Sequence, residues 1–349
     1  MKNYLNYDDI CLVPQYSEVR SRGEVDISSE LGGLKVRIPI LSSNMDTITG
    51  PELAIAMWNG GGLGCLHRFL PIEENVKQFL QVKASECECF VSVGVSRDSL
   101  ERAEHLYNAG ARHFIVDIAH GHSVMMKEML NCMKMNLPNI FVIAGNIGTP
   151  QAVKDLQHWG ADAIKYGIAG GKVCTTKHVT GVETPTFSGL LECSTVAKLP
   201  IIADGGIRQI GDISKGLIAG SSFSMSGFLF AGCLETPPVL TYRNAVTNFD
   251  AIKFVCSQND LNYIIAQKRV SEAREGLIYR GSASSGAMAK ILGEKEYAPT
   301  PEGTTVNVEL KGSVEEILKA IAGGIQSSCS YSNAKNLKEF HAKAQWVIK

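Results

Sequence analysis

Ile140-Phe141-Val142-Ile143-Ala144-Gly145-Asn146-Ile147-Gly148-Thr149-Pro150 spells out one β/α transition. The run Ile140–Ala144 is apolar throughout, without the polar alternation of a half-exposed strand, as expected of a parallel strand covered on both faces. Gly145-Asn146 follows as a small-residue loop, and Thr149-Pro150 opens a helix. The threonine hydroxyl can cap free amides there, and proline fits a first turn that needs no N–H from it.

Outward from this stretch the same unit recurs in both directions. Strands are expected at Ile38–Ser42, Gly62–Leu66, Glu88–Val93, His113–Val116, Ile140–Ala144, Ala163–Tyr166, Ile201–Ala203 and Ser222–Ser226. Helix-length amphipathic stretches separate them, among them Pro51–Trp58, Ile72–Val82, Asp98–Ala109, Val124–Met135, Thr149–Trp159, Phe187–Ala197 and Gly211–Ala219. About eight units without a break favour an α/β fold of the closed (β/α)8 TIM-barrel kind over an open doubly wound sheet. The expected organisation is a single barrel domain over 1–349, with 1–35 covering one end, a flap over 234–277, a β excursion over 294–312, and Val314–Gly323 as the closing helix.

A barrel places the residues that follow its strands on one rim, where barrel enzymes build their sites. Ser43-Asn44-Met45-Asp46, His67-Arg68, Gly94-Val95-Ser96, Asp117, Gly145-Asn146, Gly167–Thr176, Asp204-Gly205-Gly206 and Gly227 share that position. With 34 basic and 35 acidic residues the formal charge is -1, so no global field draws nucleic acid or anionic membrane, and any phosphate site is local. The 10 cysteines are spread along the chain and Met1-Lys2-Asn3-Tyr4 does not read as a secretory signal, which points to reduced thiols in the cytoplasm. No apolar run reaches the roughly 20 residues of a membrane span.

Gly167-Ile168-Ala169-Gly170-Gly171-Lys172-Val173-Cys174-Thr175-Thr176 carries the densest chemistry. Its glycines can expose successive N–H groups to an anion and Lys172 adds a point charge. Cys174 can act as a nucleophile with Thr175 or Thr176 placing a proton; the competing reading is a buried, inert thiol beside a turn. The stretch is not a phosphate-binding P-loop, because no hydroxyl follows Lys172, and no G-x-G-x-x-G follows the first strand. Asp117, His120 and His122 lie close in sequence, but the two histidines project differently on either a strand or a turn and no further ligand is specified nearby, which argues against a metal site. Asp117 can accept ribose or amide hydrogen bonds or cap the next helix, Asn146 can hold a carboxamide or brace its loop, and Asp204 can bind a sugar diol or close an Asx-turn.

Taken in order, these motifs resemble the IMP dehydrogenase/GMP reductase family, and within it the bacterial GMP reductases. The resemblance rests on Ile38–Thr47, His67-Arg68-Phe69, Asp117–Ser123, Ala144-Gly145-Asn146, Lys165, Gly167–Thr176, Ala203–Arg208, Gly211-Asp212-Ile213, Tyr279–Ser284 and Lys311-Gly312. It implies Cys174 as the nucleophile at purine C2 and Thr176 as the residue managing the departing amine. It also implies substrate contacts from Ser43, Met45, Gly171, Lys172, Asp204, Gly205, Gly206, Ser226, Gly227, Arg280 and Ser282. Asp117, Asn146 and Gly94 fall at the cofactor, which the resemblance makes NADPH. Gly167, Ala169 and Cys174 mark a monovalent-cation (K+) loop, and the assembly implied is a homotetramer without nucleic-acid or membrane partners.

Dehydrogenases of this family carry a regulatory domain pair, for which there is no room between the second and third strands, and an Arg-Tyr flap pair, where this chain has Tyr242-Arg243. Reduction of GMP is therefore the leading implication. The alternatives are IMP dehydrogenation, reduction of a modified purine nucleotide, or noncatalytic nucleotide binding. Three positions depart from the family pattern: Ser285 where an acid is expected after Gly-Ser-Ala-Ser, Phe228 where a small residue is expected near phosphate, and Ala169-Gly170 for Gly-Pro. Phe228 either removes an anion contact or faces the core.

Overall fold

The computed structural model describes residues 4–96, 98–237, 239–242, 245–248, 277–284, 287 and 300–349. The chain opens with β1 (Ile10–Val13) and a hairpin of β2 (Ser29–Leu31) and β3 (Leu34–Val36). Eight strands then build the barrel: β4 (Ile40–Ser42), β5 (Gly64–Leu66), β6 (Cys89–Val93), β7 (His113–Asp117), β8 (Phe141–Ile147), β9 (Ala163–Tyr166), β10 (Ile201–Asp204) and β11 (Phe223–Ser226). They pair in parallel in the order β4-β11-β10-β9-β8-β7-β6-β5. The ring closes between β4 and β5 through a parallel bridge from Leu41 to Leu63, with Ser42 N donating to Leu63 O at 2.9 Å.

Every strand expected from the apolar runs is present, each within a few residues of its expected bounds. Between and after them run α1 (Pro51–Gly60), α2 (Ile72–Ala84), α3 (Asp98–Asn108), α4 (Val124–Asn136), α5 (Pro150–His158), α6 (Thr176–Thr180), α7 (Ser188–Ser194) and α8 (Ile210–Ile218). Thr149 caps α5 as its position suggests, its hydroxyl accepting from Ala152 N at 3.2 Å. α9 (Val314–Tyr331) runs past its expected end at Gly323. The buried stripe Leu318, Ile321, Ile325 and Cys329 continues through the Gly323-Gly324 pair, and Ile210 of α8 packs into the space a Cβ at Gly324 would need. There Gly324 serves helix packing instead of ending the helix, whereas a Cβ at Gly323 would meet nothing. A last helix, α10 (Leu337–Lys343), follows.

The barrel interior is filled by one side chain after another from successive strands: Leu41, Cys65, Phe90, Ile115, Ile143, Ala163, Ile202 and Phe223, all fully buried. Leu31 and Val36 of the β2–β3 hairpin join this cluster from the end where the strands begin. His113 Nε2 lies 2.9 Å from Gly32 O there. The hairpin thus stoppers the barrel opposite the rim that carries the polar residues. The rest of the N-terminal stretch is more regular than its polar sequence suggests, because β1 pairs antiparallel with β16 (Gln345–Ile348), Ile10 against Ile348.

The expected flap and β excursion meet in one sheet. β12 (Val239–Tyr242), β13 (Ala245–Asn248), β14 (Leu277–Arg280) and β15 (Thr305–Val308) pair antiparallel in the order β13-β12-β14-β15. Of the flap expected over 234–277, residues 249–276 and Arg243 lie outside the described residues. Among the described residues no helix is long and apolar enough to cross a membrane.

Candidate active site

The rim encloses a cavity of about 320 Å³. Its floor is a buried ionic group drawn from four adjacent strands. Lys165, whose side chain is 3% exposed, places Nζ 2.5 Å from Asp117 Oδ1 and 3.1 Å from Asp204 Oδ2. Asn146 Nδ2 donates to the same Asp204 oxygen at 2.9 Å and to Gly167 O at 2.6 Å. Burial works against the charge on Asp117, but the Lys165 ammonium beside it, their hydrogen bond and the Arg68 charge outweigh burial and hold the carboxyl below its usual range. For Lys165 burial again opposes the charged form, and Asp117 and Asp204 overcome it, so its pKa rises. Each carboxylate commits an oxygen to Lys165, and both line the cavity.

The loop after β9 lies over this floor. Gly167 has φ +132, and a Cβ there would sit 1.9 Å from Asp204 O, so no other residue fits. Gly170 O accepts from Gly206 N at 2.8 Å, tying the loop to the one after β10. Cys174 then faces the cavity. Its Sγ lies 3.1 Å from Thr176 Oγ1, and the Thr176 hydroxyl donates to Glu302 Oε2 at 2.8 Å. Backbone bonds from Thr175 N to Glu302 O and from Thr304 N to Val173 O, both 2.8 Å, stitch the two segments together. The result is a thiol, a hydroxyl and a carboxylate in line, opening on one pocket.

Glu302 is the residue that sequence reasoning misses. Pro299–Gly303 reads as a turn, and its acid carries no mark of a partner 126 residues earlier. A carboxylate does stand beside Thr176, from position 302; Ser285 lies outside the described residues.

Of the residues expected to meet substrate, Gly171, Lys172, Gly205, Gly206, Ser226 and Gly227 line the cavity, as do Ser43, Met45 and Ser282. Arg280 does not. Its guanidinium is spent on Asp46, with Nε 3.1 Å from each carboxylate oxygen and Nη2 on the same group, and it ties β14 to the loop after β4. Gly94 is not among the residues that line this cavity; a Cβ there would sit 3.1 Å from Arg68 Cζ, so the glycine makes room behind that guanidinium. Arg68, expected on the rim, and Tyr279 also line the cavity, and burial, then the charges of Asp204 and Cys174, push the Tyr279 phenol up. Phe228 faces the cavity, with Lys172 Nζ 4.0 Å and Lys311 Nζ 4.7 Å from its ring centroid. Among the described residues no group of three His, Cys, Asp or Glu gathers to hold a metal, and His122 is turned to Asp155 at 2.8 Å.

A profile described as the IMP dehydrogenase / GMP reductase domain matches residues 4–252 and 265–349, a span that holds both Cys174 and Glu302. The chain belongs to that family. Its membership makes this barrel one of the family's oxidoreductases of purine metabolism. Relatives named GMP reductase include those of Bacillus subtilis, 37% identical over 353 residues (100% of this chain, 97% of the relative), and Clostridium acetobutylicum, 36% identical over 356 residues (100% and 97%). The GMP reductase of Delftia acidovorans is 36% identical over 347 residues, covering 98% of this chain and 95% of the relative.

Proposed function

We propose that this chain reduces GMP to IMP and ammonia with NADPH through a covalent purine intermediate on Cys174. The observation that carries the reading is the Cys174–Thr176–Glu302 line opening into the rim cavity. The Cys174 thiol gives up its proton through the Thr176 hydroxyl to Glu302, and the thiolate adds to C2 of guanine, forming a C–S bond as the C2–N3 π pair moves onto N3, which takes a proton from water. The C2–N bond then breaks as C2=N3 re-forms and N3 returns its proton to water; the departing amine takes a proton from the Thr176 hydroxyl, which regains it from Glu302, protonated in the first step. When bound, NADPH would supply a hydride to C2. Collapse breaks the C–S bond, returns the thiolate and leaves IMP.

The chain's own residues fit that cofactor on the Asp117 side. Asn146 and Asp117 stand at the cavity wall, and Arg68 Nε is buried with no hydrogen-bond partner among the described residues, a donor that a carboxamide oxygen would satisfy. The Asp204 carboxylate, oriented by Lys165 and Asn146, would meet the ribose diol. The same reading carries a homotetramer, a preference for NADPH over NADH, and a K+ requirement at the Gly167–Cys174 loop, tested by mass in solution, by paired rates, and by exchange of K+ for Na+.

The deciding experiment offers a panel of purine nucleotides with NADPH or NAD+, followed by mass analysis of products and protein. GMP-dependent NADPH oxidation with equimolar IMP and ammonia, and a purine adduct on Cys174, is the expected result. Unchanged turnover in Cys174→Ala, or NAD+-dependent oxidation of IMP, would overturn it.

A further inference from the structure

Ala169-Gly170, where the family pattern has Gly-Pro, leaves the loop that carries Cys174 without a proline ring to fix its backbone and puts a side chain where glycine is expected. Ala169 sits at φ +64, in the left-handed region that a Cβ disfavours, and it lines the cavity. What holds it there acts through the residue before it. The Thr184 hydroxyl accepts from Ile168 N at 2.7 Å and donates to Ile168 O at 3.2 Å, and Thr184 N donates to the same oxygen at 3.1 Å. Both backbone groups of Ile168 thus close on one buried threonine. Thr184 is itself seated on two sides. Its methyl fills the space of a missing side chain, because a Cβ at Gly148 would fall 2.0 Å from Thr184 Cγ2. On the chain beyond it, Tyr166 Oη donates to Pro185 O at 2.7 Å and Thr186 N donates to Asn6 Oδ1 at 3.0 Å. A strained residue persists only when its surroundings over-determine its conformation, and these contacts do so from outside the cavity.

We propose that Thr184 is a positioning residue for Cys174, its hydroxyl clamping Ile168 so that the strained Ala169 keeps the loop, and the thiol at the loop's far end, in register with Thr176. That role rests on Cys174 being the nucleophile and adds what sets its place. Between the clamp and the thiol the loop is fixed by Gly206 N on Gly170 O at 2.8 Å and by Cys174 N on Gly171 O at 3.1 Å. Relaxation of Ala169 towards negative φ would shift the backbone between these points and draw Cys174 Sγ away from Thr176 Oγ1, now 3.1 Å distant. A reacting group misplaced by about 1 Å can lose on the order of 10²-fold in rate.

Three measurements on the full chain test this: kcat and KM for GMP-dependent NADPH oxidation, the rate at which iodoacetamide alkylates Cys174, read by peptide mass, and folding by circular dichroism. Thr184→Val keeps the shape and removes both side-chain hydrogen bonds; kcat and the alkylation rate should each fall about tenfold while KM for GMP stays within about threefold. Thr184→Ser keeps the hydroxyl and should retain most of both rates. Gly148→Ala, whose Cβ needs the space of the Thr184 methyl, should reproduce the loss, and Gly148→Ala with Thr184→Ser, which vacates that space, should recover it. An unchanged or faster alkylation rate in folded Thr184→Val, a Thr184→Ser as impaired as Thr184→Val, or no recovery in the double variant would overturn the inference. If Thr184→Val does not fold, Gly148→Ala and its double variant decide on the same criteria. A wild-type chain that alkylates at Cys174 but does not turn over GMP would sink the reductase reading and leave the alkylation rates to decide this one.

Discussion

Replacing Lys165 with Met removes one cation from between two carboxylates while keeping nearly the same length of side chain. In the native protein that ammonium sits 2.5 Å from Asp117 and 3.1 Å from Asp204 with 3% of its side chain exposed. Breaking a buried pair from one side typically costs about 3–5 kcal/mol, because the partner is left charged and uncompensated. For a chain of 349 residues, at roughly 2.1 cal/mol/K of unfolding entropy per residue, that lowers Tm by about 4–7 °C. The sign of the pH dependence follows from Asp117. Its depressed native pKa contributes stability that is present above the ordinary Asp value and lost as pH falls through the native one. In Lys165→Met the same carboxyl is buried beside Asp204 without its cation, so its native pKa rises and the penalty builds as pH increases through it. The gap between wild type and variant should therefore be widest near neutrality and narrow towards about pH 4.5. Thermal unfolding followed by circular dichroism from about pH 4.5 to 8 reads this directly, with Lys165→Arg recovering part of the loss. A gap that does not change with pH, or no gap, refutes the argument that charge compensation holds this floor together.

Three further changes separate structure from chemistry. Glu302→Gln keeps a hydrogen-bond partner for Thr176 but removes the charge; steady-state assays should show kcat down by roughly 10²–10⁴ with Tm unchanged. Arg280→Met strips Asp46, which is 1% exposed, of its guanidinium and should cost about 3–5 kcal/mol in urea unfolding; wild-type stability with lost GMP affinity would return Arg280 to the substrate. Gly167→Ala forces a Cβ to within 1.9 Å of Asp204 O at φ +132, and calorimetry should show GMP binding abolished or Tm lowered, since either the loop or the Asp204 carbonyl must move.

The barrel is legible because each of its strands is a short apolar run followed by small or polar residues, and burial on both faces leaves little room for another pattern. Cys174 and Thr176 are legible for a related reason: they are close in sequence, on a loop whose glycines announce tight backbone geometry. Glu302 is not, because its partnership with Thr176 spans 126 residues and depends on the pairing of β14 with β15. Arg280 misleads in the opposite direction. It sits beside small residues that do line the cavity, yet a buried Asp46 on another strand's loop captures its side chain. Local pattern shows which residues reach the rim; which way a long side chain turns there is set by charges elsewhere in the chain.

The stitching of Val173–Thr175 to Glu302–Thr304 also orders events in time. Barrel strands from β4 to β11 are complete by Ser226, whereas the carboxylate that Thr176 needs arrives only with the segment that precedes α9. A chain made only as far as Ser226 has every barrel strand but lacks the Glu302 carboxylate on which the Thr176 hydroxyl closes. On the proposed mechanism, cleaving the folded protein near residue 300 is expected to lower turnover by freeing Glu302 from Thr176, an effect that activity and circular dichroism measured on the nicked protein would separate from loss of the barrel.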